Sequence, residues 1–333
     1  MSTRPAAANI RLVNQLFVGT FAHALGASKR HVRESAASGL LRSTAEDLEG
    51  AGFRWHRVCD PAETGYDLAR AAVGEIADRG DLGEIDAIVY ATCLPGSGIA
   101  SGSTGVVRDV KELMDFPASR LQADFGLAQA VVIGLHQQAC TGMLGALRLA
   151  GALLSTEPQW QRVLCVTADR FPPGAWYEQA YNLISDGGAA CVVGRDPAPL
   201  RLLTVHQITN GGMAQAGDDE TVGTYFAYTH RLVRETAARA GTTAGELDWI
   251  VTQNTHEKAW QILARLLEVD HARVWSPSLP DVGHVISADA IINLSALLAS
   301  GRVQPGQRIA LVMAGFGLNW QCALLEATEA LHS

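Results

Sequence analysis

The sequence predicts a layered α/β fold built as two similar halves. Continuous apolar runs of the kind buried on both faces of a sheet, such as residues 85–92 (IDAIVYAT) and 163–169 (VLCVTAD), alternate with stretches of helical period. From Leu200 the alternation starts again, and both halves run strand, polar corner, helix, then a strand with a glycine turn. At 333 residues the chain is also long for a single core. The order is duplicated without any residue-level repeat.

Residues 12–26 (LVNQLFVGTFAHALG) are apolar and read as strand or as strand and loop, and 29–39 as a polar helix or loop. Residues 64–79 have helical period, with Leu68, Ala72, Val73 and Ile76 on one face. The Gly/Ser run 96–105 is a loop and lacks the spacing of a phosphate cradle. Residues 121–125 read as a short strand. The stretch 133–154 leaves an apolar strand, turns through a polar corner (HQQAC) and continues as a helix that is apolar or small on every side, hence buried. Residues 171–181, aromatic and proline-rich, read as a loop over a site, and 185–194 as a glycine turn entering a strand. In the second half, strands at 200–209, 247–255 and 308–327 (strand, glycine turn, strand) are interleaved with helices. These lie at 225–240, at 257–267 and, after a polar turn, within 283–300.

The net charge of −8 and pI of about 5.7 argue against nucleic acid or an anionic membrane as the main partner. Cysteines 59, 93, 140, 165, 191 and 322 are spread singly, with no CxxC or CxxH spacing, so no structural zinc is expected. Cys93, Cys165, Cys191 and Cys322 read as reduced core residues. The first residues carry no apolar signal core, and no apolar run reaches about 18 residues without polar interruption. A cytoplasmic protein without a cofactor is the expectation.

Cys140 sits where the polar corner meets the buried helix. Free N–H groups and the partial positive charge at a helix N-terminus favour a thiolate, so a nucleophile there is both reactive and rigidly held. A thiolate attacking a thioester is nearly isoenergetic chemistry, which suits collection of an acyl group. The alternative is a cysteine that serves only as a small buried hydrophobe.

Four segments resemble the thiolase superfamily, specifically its ketoacyl-ACP synthase III branch. These are QQACTGMLGAL at Cys140, ISDGGAACVV, LDWIV with AWQILARLL, and the C-terminal GRVQPGQRIALVMAGFGLNWQCALLE. In order and spacing they cover about residues 64–326. The resemblance implies a five-layer αβαβα fold with halves at 1–195 and 196–333, a homodimer, and an acyl carrier protein or CoA thioester as donor. It also implies an oxyanion hole from the backbone of Cys140, Gly315, Phe316 and Gly317.

The departures bear on the reaction. Condensing members carry a His after an Asp-Trp strand, and a Gly-Asn motif later. Here Asp248-Trp249-Ile250-Val251-Thr252 leads to Gln253, His256 falls where the first motif ends in Asn, and the second motif reads Gly283-His284. GHVISADAIIN (283–293) instead resembles a sub-branch of natural-product acyltransferases that pass the acyl group to an oxygen, nitrogen or sulfur of a small-molecule acceptor. In these a Cys-His-Asp triad is implied, here Cys140, His284 and Asp289. In a regular helix five positions place two residues on different faces, so the triad requires 284–288 to be non-helical. His256, Asn254 and Gln253 are candidates for a second acid/base or for the pocket wall, and Asn254 or Gln253 equally for capping the next helix. A decarboxylative condensing enzyme and a subunit of a heterodimeric synthase are the alternatives. Arg30, Arg33, Arg148 and Lys258 are candidates for a basic patch toward an acidic carrier protein.

Overall fold

The computed structural model describes residues 15–94, 116–179, 182–213, 218–315 and 319–332. Its strands are β1 (Leu16–Leu25), β2 (Ser28–His31), β3 (Trp55–Val58), β4 (Ala87–Ala91), β5 (Val131–Leu135), β6 (Arg162–Asp169), β7 (Glu178–Gln179), β8 (Asn182–Leu183), β9 (Gly187–Gly194), β10 (Leu200–Thr209), β11 (Trp249–Thr252), β12 (Val274–Trp275), β13 (Arg308–Gly315) and β14 (Asn319–Ala327). Its helices are α1 (Val32–Ala37), α2 (Ala45–Gly50), α3 (Gly65–Asp78), α4 (Pro117–Asp124), α5 (Gly142–Thr156), α6 (Asp218–Arg239), α7 (Glu257–Leu266), α8 (Leu279–Val282) and α9 (Asp289–Ala299).

Ten strands run in the order β12-β11-β13-β14-β10-β1-β9-β6-β4-β5. Read outward from the middle, the halves repeat each other. β1, β9, β6, β4, β5 on one side and β10, β14, β13, β11, β12 on the other share one sequence of antiparallel, antiparallel, parallel and parallel pairings. The halves join where β1 meets β10, Leu16 opposite Leu202 and Val18 opposite Leu200. This is the five-layer thiolase-like architecture. α5 and α9 form the middle layer, sharing one core with residues of both sheets. α3 and α4 cover the outer face of the first sheet, and α6 and α7 that of the second.

The sequence explains each layer. α5 has a sheet on either side, so it has no polar stripe, and Met143, Leu144, Leu147 and Leu154 are fully buried. Truncating one such leucine to alanine costs about 2–5 kcal/mol. α3 faces solvent on one side and buries Leu68, Ala72, Val73 and Ile76 on the other, the periodicity read from the sequence. Its start is fixed by a capping box between Thr64 and Asp67.

Four readings are corrected. Residues 121–124 are the end of α4 and Phe125 its C-cap, not a strand: Pro117 occupies the first turn of α4, and Ala118 and Leu121, three apart, turn inward. The 29–39 segment divides into β2 and α1, because His31 accepts from Arg33 N and ends the strand as a cap. The helix expected from 225 begins at Asp218. Cys93 is partly exposed, whereas Cys165, Cys191 and Cys322 are buried. The span Ala139–Thr156 is long and apolar enough to cross a membrane, although no uninterrupted apolar run announces it. In the fold it is the core helix. The 96–105 run lies outside the described residues.

Candidate active site

Cys140 occupies a 3-10 turn, Ala139–Thr141, that leads directly into α5. Two neighbours in this turn, Gln137 (φ 65°) and Ala139 (φ 45°), hold left-handed backbone that costs a side-chain-bearing residue about 1–2 kcal/mol. Ser287 braces the turn from the other half of the chain. Its hydroxyl donates to Ala139 O at 2.9 Å and accepts from Gly142 N at 3.1 Å. Gly315, at the end of β13, lies against the same turn. A Cβ there would stand 2.8 Å from Cys140 N, so only glycine lets the two backbones approach. This places Gly315 beside the Cys140 amide; Phe316 and Gly317, the other residues expected at the oxyanion hole, lie outside the described residues.

His284 approaches from the second half. Gly283 (φ 73°) permits this: a side chain would strike Leu183 O at 2.9 Å. His284 N donates to Leu183 O at 2.7 Å and Ser185 N to His284 O at 2.8 Å, so the residue rides as one more strand position beside Ile184. Its Nε2 lies 3.3 Å from Cys140 Sγ and its Nδ1 2.5 Å from Asp289 Oδ2. Residues 284–288 are indeed not α-helical. A 3-10 turn over Ile286–Ala288 brings Asp289 back to the ring.

Asp289 is fully buried and fully partnered. Oδ2 also accepts from Asn254 N at 2.7 Å, and Oδ1 from Val285 N at 2.7 Å. A buried carboxylate with three donors and a potential cation is a stable arrangement where an unpaired one is not. Burial by itself depresses the His284 pKa. The Asp289 charge and then the Cys140 sulfur outweigh that and hold it raised, to about 10. The geometry is that of a thiol, a base and an orienting carboxylate in line.

The remaining candidates have other places. Asn254 is buried and supports the triad from behind. Its Nδ2 donates to Gly283 O (2.6 Å) and Ser278 Oγ (2.8 Å), and its Oδ1 accepts from Asn293 Nδ2 at 2.9 Å. Gln253 is buried with Oε1 accepting from Ala314 N at 2.5 Å, which ties β11 to the end of β13. Neither caps α7. That role falls to His256, whose Nδ1 accepts from Lys258 N at 3.2 Å. Sequence reasoning missed Ser287 and Asn293, although both lie in the quoted 283–293 segment. It also missed a set of buried amides around Gln138, described below.

Apolar side chains surround the thiol: Val58, Tyr177, Ile184 and Ile286 cluster with Cys140, and Phe171 and Cys93 pack against them. Phe171 and Tyr177 of the aromatic segment thus reach the site, with Tyr177 anchored by its hydroxyl to Asp186 at 2.9 Å. Of the basic candidates, Arg33 is engaged by Glu49 through two 2.7 Å bonds, and Arg148 donates to Gln207. Among the described residues, no three His, Cys, Asp or Glu side chains converge as a metal site requires.

Comparison with known proteins identifies the family and the fold. Residues 136–211 match the family described as 3-oxoacyl-[acyl-carrier-protein] synthase III, and residues 237–327 match its C-terminal region. The beta-ketoacyl-[acyl-carrier-protein] synthase III of Chlamydia caviae is 26% identical over 309 residues, covering 84% of this chain and 87% of its own. Among solved structures, ChlB3, an acyltransferase, superposes with a TM-score of 0.79 at 21% identity, over 96% of this chain and 100% of its own. The 3-oxoacyl-[acyl-carrier-protein] synthase III of Aquifex aeolicus gives the same TM-score at 19% identity, over 93% and 99%.

Proposed function

Given that the chain belongs to the ketoacyl-ACP synthase III-like group of the thiolase superfamily, we propose that it is a Cys-His-Asp acyltransferase serving secondary metabolite biosynthesis. Cys140, in the half spanning 1–195, attacks the carbonyl of an acyl-CoA or acyl-carrier-protein thioester. The donor's thiolate leaves with a proton from His284. His284, in the half spanning 196–333, then takes the proton of an acceptor O–H, N–H or S–H. The acceptor attacks the acyl-cysteine and Cys140 departs as thiolate. Asp289 holds the ring and balances its charge. The Cys140 and Gly315 backbone, with Phe316 and Gly317, receives the oxyanion. We place the enzyme in the cytoplasm as a homodimer without a bound cofactor.

One observation carries the reading. The imidazole that meets the Cys140 thiol at 3.3 Å is backed by a buried carboxylate 2.5 Å away. A histidine so held is a proton acceptor. Stabilising a malonyl-derived enolate calls for neutral donors aimed at one oxygen, and the Asn254 amide N–H₂ is already given to Ser278 and Gly283.

The names of the curated relatives favour a second reading, decarboxylative condensation: those compared here are beta-ketoacyl-[acyl-carrier-protein] synthases III. The test is direct. Protein acylated on Cys140, confirmed by intact mass, is given either a malonyl thioester or a panel of alcohols, amines and thiols. Release of CO2 with a carbon–carbon product, abolished in His256→Ala, would overturn the first reading. Acyl transfer to a heteroatom without CO2, retained in His256→Ala, supports it.

A further inference from the structure

Cys140 is held by a cluster of side-chain amides that the triad does not use. Gln321, fully buried on β14, directs Nε2 at Gln138 Oε1 (2.7 Å) and Thr141 Oγ1 (2.8 Å). Gln138 caps the 3-10 turn before Cys140 and Thr141 ends it after Cys140. Thr141 Oγ1 gives its own proton to Gln138 O at 2.6 Å, so it can only accept from Gln321. Gln207 on β10 donates a further bond to Gln138 Oε1 at 3.2 Å, and Asn319 Nδ2 donates to Gln137 O at 3.1 Å. Gln321 Oε1, in contrast, is buried with no partner. Flipping the amide would set that oxygen against the Gln138 oxygen, so the orientation is fixed. A methionine or leucine would fill the same space without a stranded polar atom. The amide is therefore present for what its N–H groups hold.

We propose that Gln321 is a positioning residue, which through Gln138 and Thr141 clamps the turn containing left-handed Gln137 and Ala139 and so aims the Cys140 sulfur. The inference rests on Cys140 being the nucleophile. Strained backbone persists only where its surroundings over-determine it, and here the second half of the chain supplies the constraint from β14 and β10. Gln321 acts through the turn and does not touch the acyl group.

The test compares Gln321→Met, Thr141→Val and the double variant. Acylation of Cys140 by an acyl-CoA is followed by intact mass at varied concentration, and thermal unfolding is recorded alongside. Gln321→Met is expected to lower the saturating acylation rate roughly tenfold while the concentration dependence stays within about twofold, because aim and not binding is lost. The double variant should lose no more than the worse single one, since both remove one clamp. Wild-type saturating rates in Gln321→Met overturn the inference. So do losses that multiply in the double variant, or losses that vanish once the folded fraction is equalised. If Gln321→Met fails to fold, Gln138→Met, on the half-buried side of the clamp, carries the same expectation. Absence of any Cys140 adduct in the wild type overturns the reading of the nucleophile; loading in the wild type with unimpaired Gln321→Met overturns this inference alone.

Discussion

His284 Nδ1 and Asp289 Oδ2 are 2.5 Å apart although five residues separate them, a spacing that a continuous helix would turn to different faces. The chain solves this with one left-handed residue. Ile286 (φ 49°) folds the backbone over, and α9 begins at Asp289 itself. The carboxylate thereby also lies at the positive end of a buried helix, where a negative charge is favoured. The strain at Ile286 and the order at Asp289 have the same purpose, presenting one oxygen to one ring nitrogen.

Asp289→Asn tests that purpose. An amide keeps one acceptor atom but turns an N–H₂ toward Val285 N–H or toward the Asn254 N–H and His284 ring, leaving a clash of donors. Single-turnover transfer from acyl-Cys140 should fall roughly 10–100-fold. His284→Ala should lose about 10²–10⁴-fold, the full worth of a positioned base. Equal rates in wild type and Asp289→Asn would remove Asp289 from the mechanism.

His56 is expected to matter through the backbone that His284 rides on. It is buried between Ser35 Oγ at Nε2 (2.7 Å) and Ile184 O at Nδ1 (2.8 Å), and Ile184 pairs with His284. With Nδ1–H given to the carbonyl, Nε2 accepts from the Ser35 hydroxyl. Burial pushes its pKa down to about 4, so the ring folds neutral. A lowered histidine pKa contributes stability above the unfolded value near 6.5, lost as pH falls through 4. His56→Leu strands Ile184 O and Ser35 Oγ, which should cost roughly 2–4 kcal/mol at pH 7.5 in a denaturant titration. An unchanged midpoint would show that neither bond matters.

Much of this was legible in advance, and what was not has a common cause. Cys140 could be picked out from local context, a polar corner before an apolar helix, whereas His284 and Asp289 were picked out through the resemblance of residues 283–293 to an acyltransferase sub-branch. The layers were legible because α3, β4 and α5 carry the periodicity of their surroundings. α4 was misread because five residues with two inward side chains fit either period. Gln321, Gln138 and Asn293 escaped notice for a different reason. Gln321 and Gln138 bond each other across 183 positions and Asn293 bonds Asn254 across 39, and a lone Gln or Asn in a sequence says nothing about what it bonds until the chain is folded.

Asp169 gives a stability prediction of opposite slope to that of His56. Its buried Oδ1 accepts from Thr92 Oγ1 (2.7 Å), Cys93 N (2.8 Å) and Leu94 N (3.0 Å). Burial nevertheless outweighs these bonds and raises its pKa to about 6. The folded state then holds this proton more tightly than the unfolded chain, so stability falls as pH rises from about 4 to 6. Asp169→Asn removes that loss. At pH 8 it should be more stable than wild type by roughly 1–3 kcal/mol. A variant that is less stable than wild type at pH 8 would show that the three hydrogen bonds, not the buried charge, dominate.

β5 ends the sheet, and this edge carries the prediction of a homodimer. Among the described residues it pairs only with β4, in parallel, and its sequence is VVIGL. Val131 is 48% exposed, whereas every residue of the neighbouring β4 is buried. An apolar edge strand offers an unpaired row of N–H and C=O groups to another strand, and lysine is the residue that natural edges use to prevent this. A twofold pairing of β5 with β5 would continue the sheet through both subunits and cover Val131 on each. The wild type should therefore sediment as a dimer at micromolar concentration, and Val131→Lys should shift it toward monomer by at least tenfold in dissociation constant. A monomeric wild type would exclude the pairing. A dimer indifferent to Val131→Lys would move the interface away from this edge.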